Sequence, residues 1–239
     1  MEDRDLMQLL EEHDAIYTVR KDPSGNRLSP LVGYAGKYDC DDRVQRAYVG
    51  EKYYDFARVE QDPSALYNFA EVVATAAHCQ QPDLIVGMPM GGIAFSLMLA
   101  DAVGCGFAFI EKKVTALATA EAREQSQLVI ARHKIASGAR LVLGEDVCNN
   151  FSTTDEAIEL AKSLGAQVIA IACAFNRSND DGQVIKTYAG LPVIAALEIP
   201  TPEYRQDDPY VREDIETGNV VWKPKEEWDT LLKAMRGQT

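Results

Sequence analysis

The chain has 239 residues, with 24 Lys and Arg against 37 Asp and Glu, a net charge of −13 with the histidines neutral. Hydrophobic residues make up 46% and charged residues 26%, enough apolar surface for a packed core and too much for a disordered chain. So acidic a balance excludes proteins that grip nucleic acid or anionic membranes by neutralising phosphates, so any anionic ligand must be held by local devices. Residues 3–13 space Leu6, Leu9 and Leu10 as a short amphipathic helix, acidic and therefore unlike a signal peptide. Residues 20–46, punctuated by Pro23, Gly25, Pro30, Gly33 and Gly36, read as irregular. Asp62-Pro63-Ser64 then opens a helix, with Leu66, Phe69, Ala70 and Val73 on its apolar face. Leu84-Ile85-Val86-Gly87 is a short buried strand, followed by a loop at 88–92 and a helix to about residue 103. Further strands are expected at 107–110, at 140–144 running into Glu145-Asp146, and at 167–175 and 191–197. A helix over 154–164 stops at Gly165, and the tail ends in a helix over about 226–235.

Short apolar strands alternating with ten-residue helices predict an α/β fold with a doubly wound, mostly parallel sheet. The expected divisions are an N-terminal region at 1–62, a core at 63–199 and a C-terminal extension at 200–239. No run approaches the ~18 apolar residues of a membrane span. Cys40, Cys79, Cys105, Cys148 and Cys173 are scattered without a CxxC pair, which reads as the reduced thiols of a cytoplasmic protein.

Ligands of such a sheet bind at the carboxyl ends of its strands, which directs attention to three loops. After the strand at 140–144 come Glu145 and Asp146, then Val147-Cys148-Asn149-Asn150-Phe151-Ser152-Thr153-Thr154 at the start of a helix. The hydroxyls of Ser152, Thr153 and Thr154, with the backbone N–H groups of the helix start, suit a phosphate monoester. The two carboxylates suit vicinal hydroxyls, and ribose 5-phosphate presents both features. Ser and Thr also cap helices for purely structural reasons, but two carboxylates at the end of an apolar strand are hard to explain as packing. After the strand at 84–87, Met88-Pro89-Met90-Gly91-Gly92 offers glycines that admit a ligand close to the backbone, or simply make a tight turn.

The segment 141–154 resembles the phosphoribosyl pyrophosphate (PRPP) signature of the type I phosphoribosyltransferases: four apolar residues, two acidic residues, then a Thr/Gly/Ser-rich loop. The resemblance spans roughly residues 47–178 and is greatest to the orotate branch, whose N-terminal hood is similar to residues 50–58. It implies that Glu145 and Asp146 contact the ribose hydroxyls, that Asn149, Asn150, Phe151, Ser152, Thr153 and Thr154 hold the 5-phosphate, and that Met90, Gly91 and Gly92 face pyrophosphate. Asn149-Asn150-Phe151 stands where the family has Thr and Gly, with Phe151 replacing a glycine. Lys112 and Lys113 are the catalytic lysines the resemblance implies, on a segment whose continuation, 114–134, would close as a lid. Glu111, Thr115 and Leu117 occupy positions where the orotate branch has Arg, Lys and His; Lys113, Arg123, Arg132, His133 or Lys134 are the basic substitutes. Mg²⁺ would arrive on PRPP, with no metal ligand set belonging to the protein itself, and the chain would form a homodimer. The expected activity is transfer of ribose 5-phosphate from PRPP to a nitrogenous base, orotate first. The alternative is a PRPP- or nucleotide-binding regulatory protein that lacks transferase activity. Trp222 and Trp228 are expected to anchor the tail.

Overall fold

A computed structural model describes residues 3–40, 44–116 and 125–238. The chain opens with α1 (Asp3–Glu12), β1 (Ile16–Thr18), β2 (Leu31–Asp39), β3 (Gln45–Gly50), β4 (Lys52–Tyr54) and one 3-10 turn (Phe56–Arg58). There follow α2 (Pro63–Cys79), β5 (Leu84–Gly87), α3 (Gly92–Val103), β6 (Gly106–Phe109), β7 (Glu111–Ala116) and β8 (Gln125–Val129). Then come β9 (Arg140–Cys148), α4 (Ser152–Ser163), β10 (Gln167–Asn176), β11 (Thr187–Tyr188) and β12 (Leu191–Glu198). The chain closes with α5 (Arg212–Thr217), β13 (Val220–Val221) and α6 (Trp228–Arg236). Two compact units result, one of residues 1–7 and 59–200, the other of residues 8–58 and 201–239.

The first unit is a six-stranded sheet in the order β11-β12-β10-β9-β5-β6, parallel except for the antiparallel edge strand β11. This is the doubly wound α/β architecture expected from the alternating pattern. Its central strands are apolar because helices cover both faces. Val86, Leu141 and Leu143 pack with Ala157 and Ala161 of α4 in one buried cluster. Helix α2 begins where the Asp-Pro pair predicts: the Asp62 carboxylate accepts from the N–H groups of Ser64 at 2.9 Å and Ala65 at 3.3 Å. Strand β9 outruns its expected end. It pairs with the ten-residue β10 through Glu145↔Cys173, Val147↔Phe175 and Cys148↔Asn176, so both carboxylates lie within the strand rather than after it. Segments β7 and β8, which overlap the 114–134 stretch expected as a lid, form an antiparallel ribbon in register Lys112↔Leu128 and Lys113↔Gln127.

The second unit corrects the reading of residues 20–46 as irregular. β2 is a nine-residue strand, paired with β3 on one side and β13 on the other. Its glycines concealed it: Gly33 lacks a side chain because the Trp222 ring lies where one would be, with Cε3 2.7 Å from an added Cβ. Leu31, Val32, Val49, Val211, Trp228, Leu231 and Leu232 make this unit's core. Both tail tryptophans anchor structure, Trp222 on Gly33 and Trp228 through its indole N–H to the Asp14 carbonyl at 2.9 Å. Among the described residues no helix is long and apolar enough to cross a membrane.

Candidate functional site

The turn that follows β5 meets β9 at residues 144–146. Met88 N–H donates to the Gly144 carbonyl at 2.8 Å, which sets the 88–92 turn against β9. A side chain on Gly92 would come within 2.8 Å of Glu145 Cα, and one on Gly91 would overlap the Asp146 carboxylate, with Oδ1 at 2.8 Å. Backbone of Gly144 and Glu145 therefore requires glycine at 92 independently of any ligand, while at 91 a side chain would have to push the Asp146 carboxylate aside. The Pro89–Met90 bond is cis, and Met90 is 82% exposed at the tip of the turn.

Glu145 and Asp146 are each half-buried. Burial, and then the hydrogen bond and charge of Asp146, push the Glu145 carboxyl well above the ordinary carboxylate range. Hydroxyl donors or positive charge brought by a ligand would draw that carboxyl back down.

Beside this pair the chain leaves β9, and Glu145 with residues 147–154 lines a cavity of about 70 Å³. Asn149, Asn150, Ser152, Thr153 and Thr154 thus come together as the sequence suggests. The Asn150 side-chain oxygen accepts from Ser152 N–H at 3.3 Å and from its hydroxyl at 3.0 Å, which fixes the first turn of α4. Phe151 is the exception in kind. It has φ +58°, the left-handed conformation that glycine adopts freely, and its ring is buried among Ile171, Cys173 and Val193. It contributes backbone to the cavity wall and side chain to the core.

The lysines stand apart from this grouping. Lys112 and Lys113 are exposed on β7, and neither lines the cavity. Thr115 continues the same strand, while Leu117 and Arg123 lie outside the described residues. Arg132 pairs with Glu111 at 3.7 Å, and His133 packs edge-on against Phe109 with ring centroids 4.8 Å apart. Lys134 is exposed.

Two residues of interest escaped the sequence reading. Arg177 is only 8% exposed at the carboxyl end of β10, its N–H donating to the Cys148 carbonyl at 2.9 Å. Its signal was available: a lone arginine directly after a ten-residue apolar strand. Tyr188 stacks flat on Phe151 and donates to Asp155, and it follows a polar loop with no periodicity to mark it.

Comparison with known proteins places this geometry. The phosphoribosyl transferase domain matches residues 68–197. Orotate phosphoribosyltransferase of Caldicellulosiruptor bescii is 31% identical over 169 residues, covering 69% of this chain and 79% of that protein. Orotate phosphoribosyltransferase 2 of Mesorhizobium japonicum is 32% identical over 125 residues, 52% of this chain and only 57% of the relative's length. Adenine phosphoribosyltransferase of Rhodospirillum centenum is 33% identical over 129 residues, 52% of this chain and 75% of that one. Among solved structures, the orotate phosphoribosyltransferase of Aeropyrum pernix superposes with a TM-score of 0.52 at 15% identity, over 89% of this chain and 97% of that chain, a likeness of fold. With the family domain covering more than half of its length, and the glycine turn and acidic pair lying within the matched span, the chain belongs to the phosphoribosyl transferase domain family.

Proposed function

We propose that the protein transfers ribose 5-phosphate from PRPP to a nitrogenous base, releasing pyrophosphate. The observation that carries this reading is the seating of Glu145-Asp146 against Gly91-Gly92, beside the cavity walled by residues 147–154. A sugar with vicinal hydroxyls, a 5-phosphate and a pyrophosphate needs three such surfaces in contact. In the reaction the bond from ribose C1 to the pyrophosphate oxygen breaks and the electron pair leaves with pyrophosphate. A C1–N bond forms to the base, which gives up its N–H proton. Positive charge develops on the ribose, so the two carboxylates stabilise the transition state while accepting the ribose hydroxyls. Residues 149–154 hold the 5-phosphate and residues 90–92 the pyrophosphate, which fixes C1 relative to the incoming nitrogen.

Mg²⁺ belongs to the substrate in this scheme. Glu145 and Asp146 supply two carboxylates that suit such an ion. The ion's part is to neutralise pyrophosphate.

Orotate is the proposed base. It carries a carboxylate, and Arg177 puts a buried cation at the end of the strand next to β9. Pyrophosphate release from Mg-PRPP, measured with orotate, uracil, adenine and hypoxanthine in turn, tests this. Turnover with orotate that falls to background in Glu145→Gln and Asp146→Asn supports the reading, and Arg177→Ala should raise KM for orotate about tenfold or more, since it removes a charged hydrogen bond. Turnover with adenine alone would replace orotate by a purine. The second reading, a PRPP-binding regulatory protein, is favoured by Thr115 and Leu117 at the expected Lys and His positions. Tight Mg-PRPP binding by calorimetry with no turnover on any base would establish it.

A further inference from the structure

Phenylalanine at a left-handed position needs an explanation, because its Cβ crowds the following carbonyl there and glycine's does not exist. What lies against Phe151 supplies one. The Tyr188 ring stacks on it with centroids 4.4 Å apart and planes 15° from parallel. Tyr188 also donates its hydroxyl to Asp155 Oδ2 at 2.7 Å, in the first turn of α4. Tyr188 sits on β11, the antiparallel edge strand, so it ties the sheet edge to the loop and to the helix start. Asp155 N–H in turn donates to the Phe151 carbonyl at 3.1 Å, which closes the connection.

We infer that Tyr188 is a positioning residue for the phosphate loop: its ring clamps Phe151 and holds residue 151 in the left-handed conformation that carries the chain from β9 into α4. A loop with glycine at this position reaches the same conformation by freedom, and loses that freedom when a phosphate binds. Here the conformation is set before the ligand arrives, by stacking and burial, so less ordering accompanies binding. This rests on the proposed PRPP site, with Tyr188 acting through Phe151 rather than by touching ligand.

Calorimetric titration with Mg-PRPP tests it in a double-mutant cycle. Tyr188→Leu should weaken binding about fivefold, the equivalent of one aromatic pair. Tyr188→Phe keeps the ring and should stay within about twofold of the wild type on the same scale. In a Phe151→Gly background, Tyr188→Leu should change affinity by less than about twofold, because glycine needs no clamp. A merely structural tyrosine would not show that dependence on residue 151. Unchanged binding in Tyr188→Leu, an equal loss in Tyr188→Phe, or an undiminished loss in the glycine background would each overturn the inference. If the wild type binds no PRPP, the proposed function fails and the clamp is judged alone: Tyr188→Leu should speed amide hydrogen exchange across residues 149–154, and Phe151→Gly should remove the difference. Exchange unaltered by Tyr188→Leu would overturn it.

Discussion

Glu145 shares its burial with a second carboxyl one residue away, so the folded protein holds its proton to higher pH than the unfolded chain does. Between the ordinary glutamate value of about 4.3 and that raised value the native state binds more protons, and stability falls as pH rises. Glu145→Gln removes the falling segment. Thermal melting of the ligand-free protein should show the variant equal to the wild type at pH 4 and more stable than it at pH 8. The proposed transferase activity should be lost at both. Gly91 poses a steric question instead. A methyl there overlaps the Asp146 carboxylate, so Gly91→Ala must displace either the acid or the turn. A displacement of about 1 Å should lower kcat/KM about 10²-fold while the fold stays intact. Sequence marked both residues as ligand-facing but could not say what fills the space beside Gly91. It reads as a ligand approach, and the structure puts a side chain there. Phe151 was visible as a departure from glycine, yet its compensation lay 37 residues downstream in Tyr188, beyond any local pattern.

Elements with strong periodicity or chemistry at their ends were legible: α2 from its Asp-Pro start, α3 and α4 from left-handed glycines at 104 and 165, and β5 and β10 from their apolar runs. The Asp62 cap is the part most directly tested. Asp62→Ala leaves the N–H groups of Ser64 and Ala65 without their side-chain acceptor and should cost about 1 kcal/mol in urea unfolding, with Asp62→Ser restoring most of it. Elements whose existence depends on a distant partner were not legible. β2 holds Gly33 and Gly36 in a stretch that looks like loop, and it is a strand because β3 and β13 flank it. β9 reaches Cys148 because β10 is long enough to keep pairing with it. The ribbon of β7 and β8 has little apolar signal because Lys112, Lys113 and Val114 are exposed one after another. Pairing energy supplies what local propensity lacks.

At the scale of the whole chain, which carries a net charge of −13, the unit of residues 8–58 and 201–239 holds a partly buried positive charge that joins its two segments. Arg27 Nε lies 2.8 Å from Glu51 and its Nη1 2.8 Å from Asp214, with the guanidinium 4.3 Å from the Tyr210 ring centre. Glu51 and Asp214 are 159 and 187 residues from Tyr210 and Arg27 respectively in sequence, and both meet those partners here. One arginine therefore fastens the C-terminal segment to the N-terminal one, in a unit the chain enters twice. Arg27→Ala takes the cation from the little-exposed Asp214 and leaves Glu51 to Lys21 and the Tyr210 hydroxyl, a loss of about 3 kcal/mol. Chemical denaturation should show it as a lower midpoint. Because a pair so little exposed is weakly screened, the loss should be about the same in 0.5 M salt as at low salt, whereas that of a surface ion pair would vanish. Arg27→Lys keeps the charge but not the planar fork that reaches two carboxylates and a ring at once, and should recover less than half of the stability. Equal stability of Arg27→Lys and wild type would mean that charge alone, rather than the geometry of the guanidinium, joins the two segments.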